Sequence, residues 1–163
     1  MLLERKKMKV LYSDQMVFDG NDGIFLAGPT PRRSDVPSWR PKAIELLESF
    51  KFDGTVLVPE WQSGMSRVNF DDQVEWEFAG LSLAKVIVFW VPRNMENMPA
   101  LTTNVEFGYW TAKSPERIVY GRPSDAPNTR YLDWLISKQN KDVVIHDNLS
   151  DLLQSAVIKA GEI

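Results

Sequence analysis

Glu106 stands three residues after Thr103 in the segment 103–110. The T-x-x-E spacing is typical of a capping box, in which Thr103 would be the N-cap of a helix and Glu106 would bond back to its amide. In the first helical turn, free amides and the helix dipole favour an ionised carboxylate, which could act as a nucleophile. We therefore expect Glu106 to cap the helix, to react as a nucleophile, or to do both. Gly108 predicts a close approach of this helix to a sheet.

A second acid, Glu77, lies in the acidic segment 71–78. At helical spacing Val74, Phe78 and Leu81 form an apolar stripe that we expect to face a sheet, and Glu77 flanks that stripe. A carboxyl group beside a core needs a partner, or its pKa rises. Glu77 is therefore either bonded to a neighbouring arginine or amide, or protonated and available as a general acid.

The segment 27–33 follows an apolar run and contains Gly28, Pro29, Thr30, Arg32 and Arg33. Glycine lets the backbone approach a ligand closely, the threonine offers a hydroxyl, and the arginines could bind phosphate or carboxylate. The alternative is a solvated loop with two surface arginines. The chain has neither a G-x-G-x-x-G nor a G-x-x-x-x-G-K-[ST] motif, so dinucleotide and P-loop sites lack support.

Composition excludes several kinds of site. The 163 residues include no cysteine and one histidine, His146, which rules out disulfides, thiolate metal sites, a cysteine nucleophile and a histidine-rich metal centre. The working acid and base of an enzyme would then be carboxylates, and we expect no metal or organic cofactor. His146 itself is expected to pack at a strand end. Of six tryptophans, Trp39, Trp61 or Trp110 could stack on a planar ring.

Charge and hydropathy bear on partners and location. The formal net charge of −3 argues against binding to polymeric nucleic acid, which usually needs a basic protein. The first eight residues are charged and no apolar region of a secretory signal follows them. The longest apolar run, Val86–Val91, is too short to span a membrane, so no membrane contact and a cytoplasmic location are expected.

The elements that position these residues alternate between strand and helix, which predicts one α/β domain over 1–163. We expect about five parallel strands with helices on both faces, a flavodoxin-like or Rossmann-like arrangement, because the strands are continuously apolar. An irregular β segment is expected within 1–21, around Val10–Phe18. The predicted strands are Ile24–Ala27, Thr55–Val58, Lys85–Val91, Arg117–Tyr120 and Val143–Ile145. The predicted helices are Ser38–Phe50, Asp71–Ala84, Thr103–Lys113, Thr129–Gln139 and Leu149–Ala160.

Ligands of such folds bind outside the carboxyl ends of the strands. The loops expected to carry the site are Gly28–Pro37, Pro59–Asn69, Pro92–Thr102 and Gly121–Asn128. On the helix that carries Glu77, Trp76 and Leu83 predict a second apolar patch, either a subunit interface or ordinary packing under a loop.

Taken together, four segments resemble the nucleoside 2-deoxyribosyltransferase superfamily, and most closely its deoxyribosyltransferase-like bacterial and phage branch. They span roughly residues 22–122 in the same order and spacing. The segments are IFLAGP at 24–29, QVEWE at 73–77, AKVIVFWVP at 84–92 and NVEFG at 104–108.

The resemblance implies a flavodoxin-like sheet and cleavage of the N-glycosidic bond of a nucleoside or nucleotide, in a homo-oligomer. It assigns Glu106 as the nucleophile that attacks C1′ and forms a glycosyl-enzyme, which a second base or water resolves. It assigns Glu77 as the acid that assists at the base. The Gly28–Arg33 loop would hold the sugar or a 5′-phosphate. Thr102, Thr103 or Asn104 would replace an acid that members often carry before the nucleophile.

Three functions therefore stay open. The first is glycosyl transfer between bases, and the second is hydrolysis of a nucleoside 5′-monophosphate, which Arg32 and Arg33 favour. The third is a catalytically silent module that binds a nucleotide. Phe25, where members often have tyrosine, and the missing acid within Met98–Thr103 favour this third reading.

Overall fold

The computed structural model describes residues 7–15, 23–62 and 69–162. The expected β segment beyond Gln15 and much of the expected ligand loop after residue 62 lie outside these ranges. Along the chain the elements are β1 (Lys9–Tyr12), β2 (Ile24–Ala27), α1 (Arg40–Ser49), β3 (Thr55–Val58), α2 (Phe70–Leu83), β4 (Val86–Trp90), α3 (Leu101–Lys113), a 3₁₀ turn (Pro115–Arg117), β5 (Ile118–Gly121), α4 (Arg130–Gln139), β6 (Ile145–His146) and α5 (Leu149–Glu162).

The strands form one parallel sheet in the order β1-β3-β2-β4-β5-β6. The predicted α/β class is confirmed, with six strands rather than about five. The additional strand is β1, which pairs with β3 at the edge and buries only Leu11, so its apolar signal is weak. Without β1 the order is that of flavodoxin, whose ligand crevice lies where the strand order reverses. Here that point is between the carboxyl ends of β2 and β4.

Both faces of the sheet are covered, which explains why its strands are continuously apolar. Successive side chains of a strand point to opposite faces. Phe25 and Phe89 pack under α2, α3 and α4, whereas Leu26 and Val88 pack under α1 and α5. Among the described residues, no helix is long and apolar enough to cross a membrane.

The capping box predicted for Thr103 and Glu106 is wrong. Helix α3 begins two residues earlier, at Leu101, after Ala100, which has a left-handed backbone with φ of 61° and offers no capping side chain. Thr103 is the third helical residue and is buried, so Glu106 lies in the second turn. The first-turn amides therefore cannot favour the ionised form of Glu106, as the spacing alone had predicted.

The predicted inner stripe of α2 is only partly correct. Leu81 is buried, but Val74 is 42% exposed and Phe78 is 50% exposed. Trp76, expected in a second apolar patch away from this stripe, instead packs on Phe25 of the sheet with ring centroids 6.1 Å apart. Val74, Trp76 and Phe78 are all apolar, and hydrophobicity alone could not tell which of them faces the sheet.

Two glycines near the site differ sharply in what an added methyl group would meet. Gly28 has φ of +146°, and a Cβ there would lie 2.1 Å from the carbonyl oxygen of Trp90. At Gly108 a Cβ would meet nothing within 4 Å. The close helix–sheet contact predicted for Gly108 is therefore wrong.

We expect Gly28→Ala to lower the free energy of unfolding by about 2 kcal/mol or more, through backbone strain and the clash. Gly108→Ala should raise it by about 0.5–1 kcal/mol, because alanine is the better helix former. Urea denaturation of both variants measures the two effects, and a Gly28→Ala variant as stable as the parent protein would contradict the first.

Candidate active site

A buried arginine at the start of α1 organises the carboxyl end of the sheet. The Arg40 side chain is 1% exposed. Its Nε donates to the carbonyl oxygen of Leu26 at 2.9 Å, and Nη2 donates to that of Gly28 at 2.7 Å. Nη1 donates to Thr30 Oγ1 at 3.0 Å and to Glu60 Oε1 at 2.6 Å. The guanidinium thus ties the end of β2 to the loop after β3.

Sequence reasoning missed Arg40. Most arginines are exposed, and residue type gives no sign that this side chain turns inward. The available signal was its place in the first helical turn after a ligand loop. The Glu60 carboxylate is 17% exposed and also accepts from Ser38 Oγ at 2.6 Å. Removing one partner of a buried ion pair typically costs about 3–5 kcal/mol, so this pair also matters for stability.

The two acids singled out from the sequence, Glu77 on α2 and Glu106 on α3, meet beside Arg40. Their carboxyl groups lie within hydrogen-bonding reach of each other, and the Arg40 charge acts on both. Gln73 Nε2 donates to Glu77 Oε1 at 2.6 Å. The structure therefore brings together two half-buried carboxyl groups, a buried cation and an amide.

The environment disfavours ionisation of both carboxyl groups. Burial raises the pKa of Glu106 to about 8, with a further contribution from the neighbouring Glu77, and the Arg40 charge opposes the shift. Burial also raises the pKa of Glu77, opposed by the Gln73 hydrogen bond and by Arg40. Interacting acids titrate as a pair. Loss of the first proton from this pair leaves an ionised and a protonated carboxyl in one place.

A tryptophan fixes the orientation of the amide that holds Glu77. Trp61 Nε1 donates to Gln73 Oε1 at 3.2 Å. Because an indole nitrogen can only donate, Gln73 must present its NH₂ group to Glu77. Of the three tryptophans considered for stacking, Trp39 and Trp110 are buried in the core, and Trp61 borders the cavity beside Glu77.

A cavity of about 620 Å³ opens beside Glu77, and neither Glu106 nor Arg40 is among the residues that line it. Thr30, Arg32 and Arg33 of the predicted binding loop line it together with Glu77. Arg32 is exposed, and Arg33 forms a surface ion pair with Asp35 at 2.6 Å. The other lining residues are Pro31, Ser34, Val36, Ser38, Pro59, Glu60, Trp61 and Gln73.

The remaining predicted binding residues lie outside that lining. The carbonyl oxygen of Gly28 accepts from Arg40, and that of Pro29 accepts from Trp39 Nε1 at 3.1 Å. Thr103 is buried, and Asn104 Oδ1 accepts from Arg93.

The only histidine also lies away from the carboxyl pair. His146 is in β6, with Nε2 3.1 Å from Ser155 Oγ, as expected for a residue packed at a strand end. Within the described ranges no cluster of three or more acidic or histidine side chains could hold a metal ion.

We expect the buried pair to make stability depend on pH. The folded protein binds Glu106's proton up to about pH 8, whereas the ordinary pKa is 4.5. The free energy of unfolding should therefore fall as pH rises between these values. Glu106→Gln lacks this titration and should lose less stability than the parent protein between about pH 5 and about pH 8.5. Urea denaturation of both proteins at the two pH values tests this. An equal loss of the free energy of unfolding in the parent protein and in Glu106→Gln would contradict it.

Comparison with known families matches residues 21–124, more than half of the chain, to the family described as nucleoside 2-deoxyribosyltransferase like. Comparison with curated proteins gave no match. The matched range contains the loop after β2, Arg40, Glu77 and Glu106. The chain therefore belongs to the nucleoside 2-deoxyribosyltransferase-like family.

Proposed function

We propose that the protein breaks the N-glycosidic bond of a deoxynucleoside or its 5′-monophosphate, with Glu106 as nucleophile and Glu77 as general acid. The observation that carries this proposal is the contact between the two carboxyl groups, together with the 620 Å³ cavity that Glu77 lines. Retaining glycosidases likewise use two neighbouring carboxyl groups, one as nucleophile and one as acid. Family membership supports the same chemistry.

In the first step the proton of Glu106 moves to Glu77 across their contact, and the Glu106 carboxylate attacks C1′ as the bond from C1′ to the base nitrogen breaks. Glu77 transfers its proton to the departing base, which leaves neutral. The sugar stays attached to Glu106 as an ester. In the second step Glu77 accepts a proton from an acceptor base or from water, and that nucleophile displaces Glu106. The Gln73 amide holds the Glu77 carboxyl in place for both steps.

Transfer and hydrolysis differ only in which nucleophile enters the second step. Arg32 and Arg33 line the cavity and favour a nucleotide substrate, although Arg33 is already paired with Asp35. A silent binding module is the third candidate, favoured by Phe25, which is 1% exposed and brings no hydroxyl group to the site. A cytoplasmic location stays a prediction.

Release of free base from deoxynucleosides and their 5′-monophosphates, with and without an acceptor base, tests the proposal. We expect Glu106→Ala to lower kcat by about 10³-fold or more, because the covalent step is lost. Glu77→Gln should lower kcat less for bases that are good leaving groups than for poor ones, because a good leaving base depends less on protonation by Glu77. Circular dichroism checks that each variant is folded. Full turnover by Glu106→Ala would contradict the mechanism.

We also propose that two copies of the chain associate through the outer face of α2 and α3. That face carries two apolar stripes at a spacing of four residues, all two-fifths to four-fifths exposed. The stripes are Phe70, Val74 and Phe78 on α2, and Leu101, Val105 and Tyr109 on α3. Phe78 and Tyr109 join them, with ring centroids 6.0 Å apart.

A second copy fits this face in extent and in charge. Single exposed apolar residues are common on protein surfaces, but these six form one continuous patch. A patch of this kind suits the centre of an interface that buries about 800 Å² per partner. Both helices follow parallel strands and run in the same direction. A two-fold axis across them would bring the acidic start of one α2, with Asp71 and Asp72, near Lys113 at the end of the other copy's α3.

Val105 is 72% exposed at the centre of this face, and Val144 is 64% exposed elsewhere. We expect the parent protein to sediment as a dimer and Val105→Glu to sediment as a monomer, since the change buries a charge in the interface. Val144→Glu is the matched control and should remain dimeric. Analytical ultracentrifugation measures all three, and a monomeric parent protein would contradict the proposed interface.

A further inference from the structure

Trp61, Gln73 and Glu77 form a chain of hydrogen bonds that runs in one direction. Trp61 Nε1 donates to Gln73 Oε1 at 3.2 Å, and Gln73 Nε2 donates to Glu77 Oε1 at 2.6 Å. The carbonyl oxygen of Pro59 lies 3.5 Å from Gln73 Nε2 and can only accept, so it favours the same orientation of the amide. Glu77 Oε1 is therefore an acceptor, and the bond that it accepts favours the charged form of the carboxyl group.

Glu106 has no such donor. In the described part of the chain, no side-chain hydrogen bond other than the one with Glu77 acts on it. Burial raises the pKa of Glu106 to about 8 and also raises that of Glu77, and the Arg40 charge opposes the rise in both. The hydrogen bond from Gln73, which lowers the pKa of Glu77 alone, is the contribution that the two acids do not share.

The other charged groups around the pair do not distinguish its two members. Arg32 and Arg33 from the loop after β2, and Glu60 from the loop after β3, line the cavity that Glu77 borders. Glu60 is bonded to Arg40 at 2.6 Å. Among the described residues outside the pair, Arg40 is the one whose charge acts on the two acids, and it favours the ionised form of each. The difference between the two acids therefore depends on the neutral amide of Gln73.

We propose that Gln73, held by Trp61, is a positioning residue that decides which acid of the pair is ionised in the free protein. When the pair holds one proton, that proton is on Glu106, which donates it to the Glu77 carboxylate. A protonated carboxyl group is a poor nucleophile, so Glu106 is unreactive in the absence of a ligand.

The consequence for catalysis rests on the proposed function. Only a protonated Glu77 can donate to a base, so a bound base with an acceptor nitrogen or oxygen favours transfer of the proton. The proton leaves Glu106 and binds to Glu77, and Glu106 gains the negative charge that Glu77 loses. The attacking carboxylate is thus formed when a base occupies the site.

Carbon-13 NMR of protein labelled at the glutamate Cδ follows the ionisation of each acid with pH and needs no substrate. Glu77→Gln and Glu106→Gln assign the two signals. In the parent protein we expect the Glu77 signal to reach its ionised position at lower pH than the Glu106 signal. Gln73→Met is similar in length but cannot donate, so the Glu77 midpoint should rise relative to that of Glu106 by about 1 pH unit or more.

Trp61→Phe keeps an aromatic ring but removes the indole donor, and it should change the midpoints in the same direction by a smaller amount. Gln154→Met, on the exposed side of α5, is the matched control and should leave both midpoints unchanged. Circular dichroism checks that each variant is folded.

Ionisation of Glu106 before Glu77 in the parent protein would overturn the proposal, as would unchanged midpoints in a folded Gln73→Met. If Gln73→Met does not fold, unchanged midpoints in Trp61→Phe would overturn it instead. A parent protein that shows the expected order but releases no base from any nucleoside would contradict the proposed function and leave this inference intact.

Discussion

The structure at the carboxyl end of the sheet depends on how the buried charge of Arg40 is satisfied. Its guanidinium nitrogens are bonded to two backbone carbonyls, a hydroxyl and the Glu60 carboxylate. These bonds fix the turn at Gly28, where no side chain could fit beside Trp90. Arg40 thus fixes the separation between the loop after β2 and the loop after β3, and the 620 Å³ cavity opens between these loops.

The same charge controls the acids above it. Glu77 and Glu106 are both buried enough to favour their protonated forms, and Arg40 opposes that preference in each. Glu60 binds Arg40 directly and neutralises part of its charge. Loss of Glu60 should therefore lower the pKa of both carboxyl groups, and loss of Arg40 should raise it. The protonation of the acid pair thus depends on both partners of this buried ion pair.

The sequence predicted the fold better than the details of the site. Continuously apolar runs such as Ile24–Ala27 mark buried parallel strands reliably, because only a sheet covered on both faces buries every side chain. In a chain without cysteine, Glu106 could be singled out by its T-x-x-E spacing at an expected helix start, and Glu77 by its place beside an apolar stripe. Three features depend on contacts between distant segments, which no local sequence pattern records. They are the face that α2 turns to the sheet, the start of α3 at Leu101 and the inward orientation of the Arg40 side chain.

Covalent trapping tests the central claim most directly, because it identifies the nucleophile by position. With a 2-deoxy-2-fluoro nucleoside, both formation and breakdown of the glycosyl-enzyme are slow. Because breakdown is slow, the ester on the nucleophile accumulates. Peptide mapping by mass spectrometry after incubation should find one added 2-fluoro sugar on Glu106, and none in Glu106→Gln. A sugar attached to another residue, or base release from the parent protein with no covalent adduct, would contradict the account.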